Sequence, residues 1–169
     1  CKPYIFTDVS DVFLRQARVR FADFAFLEYM LLNIDADPSL QGFSHRQCEL
    51  LISTNCLHAT PFMCNTLQHC ERLLQAGGMM IINEALATAA FAQITFGMTD
   101  GWWLFGESRD PERVGQDSPL LNWRQCQSLL FDSGFYHVHC MQGETFLQGQ
   151  AVIAAQSAAP GNDQCVALN

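Results

Sequence analysis

Leu50-Leu51-Ile52-Ser53 is an apolar run too short for a globular helix and suited to a strand covered on both faces. It gives way abruptly to Thr54-Asn55-Cys56-Leu57-His58. Thr60 is then placed as an N-cap, with Pro61 as the first helical residue. Phe62, Leu67, Cys70, Leu73 and Leu74 recur at roughly helical spacing, and Gly77-Gly78 read as a left-handed C-cap. A second apolar run, Met79 to Ile82, ends in Asn83-Glu84. A strand–helix–strand unit of this kind, with its right-handed crossover, commits both strands to one parallel sheet. His58 and Glu84 each stand at or just past the carboxyl end of their own strand. That is the edge at which open parallel sheets bind ligands. An imidazole and a carboxylate brought together there can form a general-base pair.

The flanking sequence extends the same pattern. Tyr4-Ile5-Phe6-Thr7 reads as a strand ending in Asp8, and Ser10 caps a helix with Val12, Phe13, Ala17, Phe21 and Phe24 as its apolar stripe. Residues 28–34 are the next strand, followed by the turn Asp35-Ala36-Asp37-Pro38 and a surface connection over 39–47. Residues 85–97, rich in alanine, read as a helix over the sheet's carboxyl edge, continued by 101–105. Residues 106–119 lack periodicity and read as a surface loop. Asn122 caps a further helix that Gly134 ends. Residues 135–141 and 150–156 pair as an antiparallel hairpin about Gln142-Gly143-Glu144. The expectation is an α/β fold over 1–156: a mostly parallel sheet, helices on both faces and a C-terminal antiparallel hairpin. Residues 157–169 are expected to be a linker or tail.

A chain of 169 residues fits one such domain. Its formal charge of −8, with nine scattered Lys and Arg, argues against a nucleic-acid partner, which needs clustered cations. No signal peptide or membrane span is visible, so no membrane partner is expected. Eight cysteines without a CxxC pair read as small buried hydrophobes in a reducing, cytoplasmic compartment. His137, His139 and Cys140 lack the second clustered pair that zinc requires, so no metal is expected. Gly77-Gly78 lacks the lysine and hydroxyl of a phosphate loop.

Several residues at the carboxyl edge have chemistry available. Asp8 can accept both hydroxyls of a ribose, or it can simply cap the turn before the helix; spacing leaves both open. Asn33 and Asp35 can meet an adenine amino group with Ile34 against the ring, or the stretch is only a turn. Glu84 near His58 would fix the imidazole's tautomer. Phe96, Trp102, Trp103 and Phe105 can wall an apolar acyl channel or serve as lid and core packing.

These stretches resemble the C-methyltransferase domains of modular and iterative polyketide synthases. The resemblance rests on Tyr4 to Ser10, Leu32-Asn33-Ile34-Asp35 with Asp37-Pro38, Gln41-Gly42-Phe43 and Asn55-Cys56-Leu57-His58-Ala59-Thr60. Leu74 to Gly78, Thr95-Phe96-Gly97 with Gly101-Trp102-Trp103, and Asp117 to Leu121 extend it, so that it covers roughly residues 3–156 in one order. It implies the seven-stranded, S-adenosylmethionine-dependent methyltransferase sheet. It also implies His58 and Glu84 as the catalytic pair, Asp8 as the ribose carboxylate, Asn33, Ile34 and Asp35 near the adenine, and Asn55 near the methionine portion. The implied substrate is a β-ketoacyl chain on an acyl carrier protein's phosphopantetheine arm, with neighbouring synthase domains as further partners.

Two departures accompany the resemblance. The family's first strand and Gly-rich loop are missing from this chain, since only three residues precede Tyr4, and Asn33 stands where an Asp is common. The chain therefore reads as cut from a longer polypeptide, or as a non-catalytic methyltransferase-like domain that shapes a synthase module. By itself it is expected to bind S-adenosylmethionine poorly and to self-associate through unpaired strand edges.

Overall fold

The computed structural model describes residues 4–87, 90–108, 110–141 and 149–158. Strand β1 (Tyr4–Asp8) is followed by helix α1 (Asp11–Arg20) and strand β2 (Leu27–Leu31), which pairs with β1 in parallel. Strand β3 (Cys48–Thr54), helix α2 (Met63–Leu73) and strand β4 (Leu74–Ala85) form the expected unit, its two strands parallel. Two short helices, α3 (Ala90–Thr95) and α4 (Leu104–Ser108), precede helix α5 (Trp123–Asp132). Strands β5 (Phe135–Met141) and β6 (Gln150–Ser157) close the described chain. β6 lies antiparallel between β4 and β5, giving the order β3-β4-β6-β5. The turn expected at 142–144 and the tail from 159 onward lie outside the described residues.

The single sheet expected from sequence is therefore two: the pair β1-β2 and the four-stranded β3-β4-β6-β5. Helix α2 ties them together. A ring nitrogen of His69 lies 2.8 Å from the Ile34 carbonyl, Arg72 lies 3.9 Å from Asp37, and Ile34 packs on the main core.

That core forms between α2, α5 and one face of the larger sheet, because alternate residues of β4 face it. Met80 and Ile82 are buried on this face and meet Leu67, Cys70, Leu130 and Ile153. Each fully buried Leu or Ile contributes about 1.5–3 kcal/mol. Glu84 continues the same two-residue spacing, so the core-facing row ends in a carboxylate at the strand's carboxyl end.

Local structure departs from the sequence reading at several points. The Thr60 hydroxyl does not cap α2; it donates to the Leu57 carbonyl (2.7 Å) and accepts from Thr66 (2.9 Å), and Phe62 stands at the N-cap. Gly77-Gly78 is not a C-cap, since α2 ends at Leu73 and the glycines lie inside β4, where the pairing with β3 shifts register. In α1 the buried residues are Leu14 and Ala17, while Val12 and Phe13 are exposed. The single helix expected over 85–105 is broken into short turns around Gly97 and Gly101. Strand β6 runs one residue past the expected domain end, because Ser157 is buried and donates to Glu71 (2.7 Å).

Candidate active site

The site grows from the turn that follows β3. Asn55 leaves the strand with φ +47°, a left-handed conformation that asparagine tolerates better than most residues, while its N–H donates to the Asn83 carbonyl (2.8 Å). This reversal presents the N–H groups of Cys56 and Leu57 to the neighbouring strand. Both donate to Glu84 Oε1, at 2.8 and 2.9 Å, so the β4 carboxylate caps the helical turn Leu57–Ala59. The other carboxylate oxygen, Oε2, lies 2.6 Å from His58 Nδ1. Glu84 is 5% exposed and accepts from three partners, which answers the cost of burying its charge. With Nδ1–H donated to Glu84, His58 keeps Nε2 as a proton acceptor.

Above the pair, the Trp102 ring meets the His58 ring edge-on with centroids 5.8 Å apart, and Phe96 stacks on Trp102 at 6.0 Å. Trp102 is buried, and its indole N–H has no partner among the described residues. Trp103 is placed differently: it stacks on Phe105 and donates to the Gly97 carbonyl (2.9 Å). A small apolar cleft beside the pair is lined by His58, Glu84, Leu57, Leu86, Leu121 and Cys126.

The remaining candidates occupy the carboxyl ends of β1, β2 and β3. Asp8 Oδ1 accepts from the Ser10 N–H (2.8 Å); among the described residues Oδ2 has no partner. Asn33 Oδ1 accepts from the Asp35 N–H (3.1 Å), which makes 33–35 a tight turn. Gln41 holds that turn. Its amide donates to the carbonyls of Asn33 (2.8 Å) and Ala36 (3.1 Å), and its oxygen accepts from the Asn33 N–H (2.8 Å). Asn55 Oδ1 accepts from Gln150 (3.1 Å), on β6. Burial pushes the Cys56 thiol above its usual range against the hydrogen bond to Ser53, and Glu84 and Asp8 add to the rise.

Sequence reasoning gave Gln41 no role beyond the stretch Gln41-Gly42-Phe43, and it missed Gln150 and above all the pair Asp110–Arg113, in a stretch read as surface loop. Both residues are 1% exposed. Arg113 Nε donates to Asp110 Oδ2 (2.5 Å), and its other nitrogens reach the carbonyls of His58 (2.8 Å) and Thr60 (2.6 Å). The guanidinium is buried against Asp110 Oδ2 and four backbone carbonyls, while Asp110 Oδ1 has no partner among the described residues. The signal available was an Asp and an Arg three residues apart beside an apolar Pro119-Leu120-Leu121, too aperiodic to suggest burial.

No protein-family model matches the chain. It is 36% identical over 155 residues to polyketide synthase ThaQ of Burkholderia thailandensis, an alignment that covers 91% of this chain and 7% of ThaQ. The structure matches the CurJ carbon methyltransferase with a TM-score of 0.86 at 37% identity, covering 93% of this chain and 42% of that one. The trans-methyltransferase CalH, solved in complex with SAH, matches at a TM-score of 0.80 and 28% identity over 92% of this chain and 43% of CalH. The chain thus spans less than half of these solved methyltransferases and a small part of the synthase. Sequence identity and fold agree over nine-tenths of its residues, and on both grounds the chain belongs to the carbon-methyltransferase domains of polyketide synthases.

Proposed function

We propose that this chain supplies the base and the adenosine side of an S-adenosylmethionine-dependent C-methyltransferase. Its substrate would be the α-carbon of a β-ketoacyl chain on the phosphopantetheine arm of an acyl carrier protein, within a multidomain synthase. The carrying observation is the 2.6 Å contact between His58 Nδ1 and Glu84 Oε2 at the ends of two paired parallel strands. The carbon-methyltransferase relatives support the reaction class, and the SAH complex of CalH supports the cofactor.

The residues present fit the adenosine half of that cofactor. Asp8 has a carboxylate oxygen left for ribose hydroxyls, and the 33–35 turn, which follows the strand paired with β1, would offer Asn33 and Asp35 to the adenine with the partly core-packed Ile34 against the ring. Asn55 and Gln150 would hold its polar amino-acid end. When bound, the cofactor supplies an electrophilic sulfonium methyl group. His58 Nε2 takes the α-proton, acidified by its two flanking carbonyls, and the C–H electron pair becomes the enolate nucleophile. Glu84 holds the ring in the tautomer that leaves Nε2 free and stabilises the imidazolium that results. Phe96 and Trp102 wall the acyl chain beside the base and exclude water, whereas Trp103, packed on Phe105, would form the channel's outer side.

The test uses the intact synthase polypeptide with S-adenosylmethionine and a β-ketoacyl thioester, the product read by mass spectrometry. A methyl group on the α-carbon is expected. His58→Ala should lose most turnover while calorimetry shows cofactor binding within threefold of the unaltered protein. Methylation on oxygen, or full turnover without His58, would overturn the assignment. An intact protein that binds no S-adenosylmethionine would instead support a structural domain.

A further inference from the structure

Arg113 has no place in the chemistry above, yet it is among the most completely enclosed side chains of the molecule. Its fork reaches the backbone of the proposed base and of the residues that follow it. Nη1 donates to the His58 carbonyl (2.8 Å) and the Pro119 carbonyl (3.5 Å); Nη2 donates to the carbonyls of Thr60 (2.6 Å) and Pro61 (3.2 Å). Nε donates to Asp110 Oδ2 (2.5 Å), and the guanidinium carbon lies 5.3 Å from the centre of the Phe105 ring. Asp110 Oδ2 is also 3.5 Å from the Met63 N–H at the start of α2.

A buried ion pair of this kind is weak evidence for stability, since apolar residues of similar volume often serve as well. What apolar residues cannot do is hold three carbonyls of one turn at set positions. The His58 ring is fixed on one side by Glu84 and touched on another by Trp102. Its backbone is fixed by Arg113, stacked on a residue of the same segment that carries Trp102. We propose that Arg113 is a positioning residue for the His58 base: it locks the turn 58–61 to the segment 102–119, so that base and acyl-channel wall are set by one contact. This rests on the reading of His58 as the base. A lysine would keep the charge but offer no planar fork. A displacement near 1 Å at a reacting group costs about 10²-fold in rate.

The measurement is a double-mutant cycle in the intact synthase polypeptide, with a β-ketoacyl thioester and S-adenosylmethionine. Arg113→Lys should lower kcat about 10²-fold, with KM for the thioester and Kd for the cofactor within threefold of the unaltered protein. On the His58→Ala background the same substitution should change the residual rate less than twofold, because its effect passes through the imidazole. Losses that multiply, a loss seen in KM, or a kcat within threefold of the unaltered protein would each overturn the role. If Arg113→Lys melts below the assay temperature, the milder Asp110→Asn, which loosens the anchor of the fork, decides by the same cycle with an expected loss of about tenfold. The two readings fail differently. Full activity in His58→Ala removes the base assignment itself, whereas an inactive His58→Ala beside an unimpaired Arg113→Lys removes only the inference about Arg113.

Discussion

Glu84 uses two oxygens for three hydrogen bonds, and the division between them makes its charge testable apart from its shape. Oε1 serves the N–H groups of Cys56 and Leu57, and Oε2 serves His58. In Glu84→Gln the amide oxygen can keep only one of these roles. The backbone donors are two and fixed, so the oxygen stays with them and the NH2 group turns to His58. Nδ1 must then accept, which puts the proton on Nε2, the atom that should take the substrate's. The fold should survive, with a loss of about 1.5–3 kcal/mol for the charge-assisted bond. Turnover should fall about 10³- to 10⁴-fold, as expected for a base held in the wrong tautomer. Steady-state methylation together with a thermal melt checks this. A rate within tenfold of the unaltered protein would mean that Glu84 only caps the turn.

Among the elements, β4 shows where a local signal was misread and why. Gly77-Gly78 resembles a helix stop, but α2 ends four residues earlier and the pair lies in the strand. Gly77 has φ +75°. A Cβ on Gly78 would fall 2.8 Å from the Gln75 carbonyl and 3.3 Å from the carbonyls of Cys48 and Glu49, all of them backbone. Gly78→Ala should therefore cost about 1–3 kcal/mol through forced backbone movement. Gly77→Ala, whose added carbon meets only Gln156 at 3.7 Å, should cost about 1–2 kcal/mol for its left-handed backbone alone. Urea unfolding of the pair checks the order, and an equal or smaller loss at Gly78 would refute the close approach. The same contrast explains what could be read in advance. The β3–α2–β4 unit, the Asn122 cap and the last two strands were legible because each carries its own apolar period or cap; α5 indeed opens on a full capping box between Asn122 and Gln125. The meeting of His58 and Glu84 was legible because both follow the carboxyl ends of neighbouring parallel strands. The roles of Arg113 and Gln41 were not, since both act through backbone carbonyls distant in sequence or hidden in aperiodic turns.

For the molecule as a whole, the division into two sheets leaves edges. Among the described residues β1 pairs only with β2, and β3 only with β4. Leu50 and Ile52 on β3 are each 52% exposed, as Tyr4 on β1 and Leu31 on β2 are about half exposed. Edge strands with apolar side chains and unpaired N–H and C=O groups recruit other strands. The formal charge of −8 opposes this, since like-charged copies repel. At 0.15 M salt, however, the screening length is about 8 Å, shorter than the distance between most charges on two touching copies, whereas strand pairing acts at contact. The 169-residue chain, prepared by itself, should accordingly sediment as dimers and larger species at micromolar concentration. Leu50→Lys and Ile52→Lys together separate the two effects. Each added lysine reduces the net negative charge, so a chain ruled by repulsion would associate more; one ruled by its edge would associate less, because lysine on an edge strand disfavours pairing. Sedimentation velocity should show the doubly substituted chain shifted toward monomer at both low and moderate salt. More association in that variant would place the contact away from β3 and return the exposed strand to the role of a passive surface.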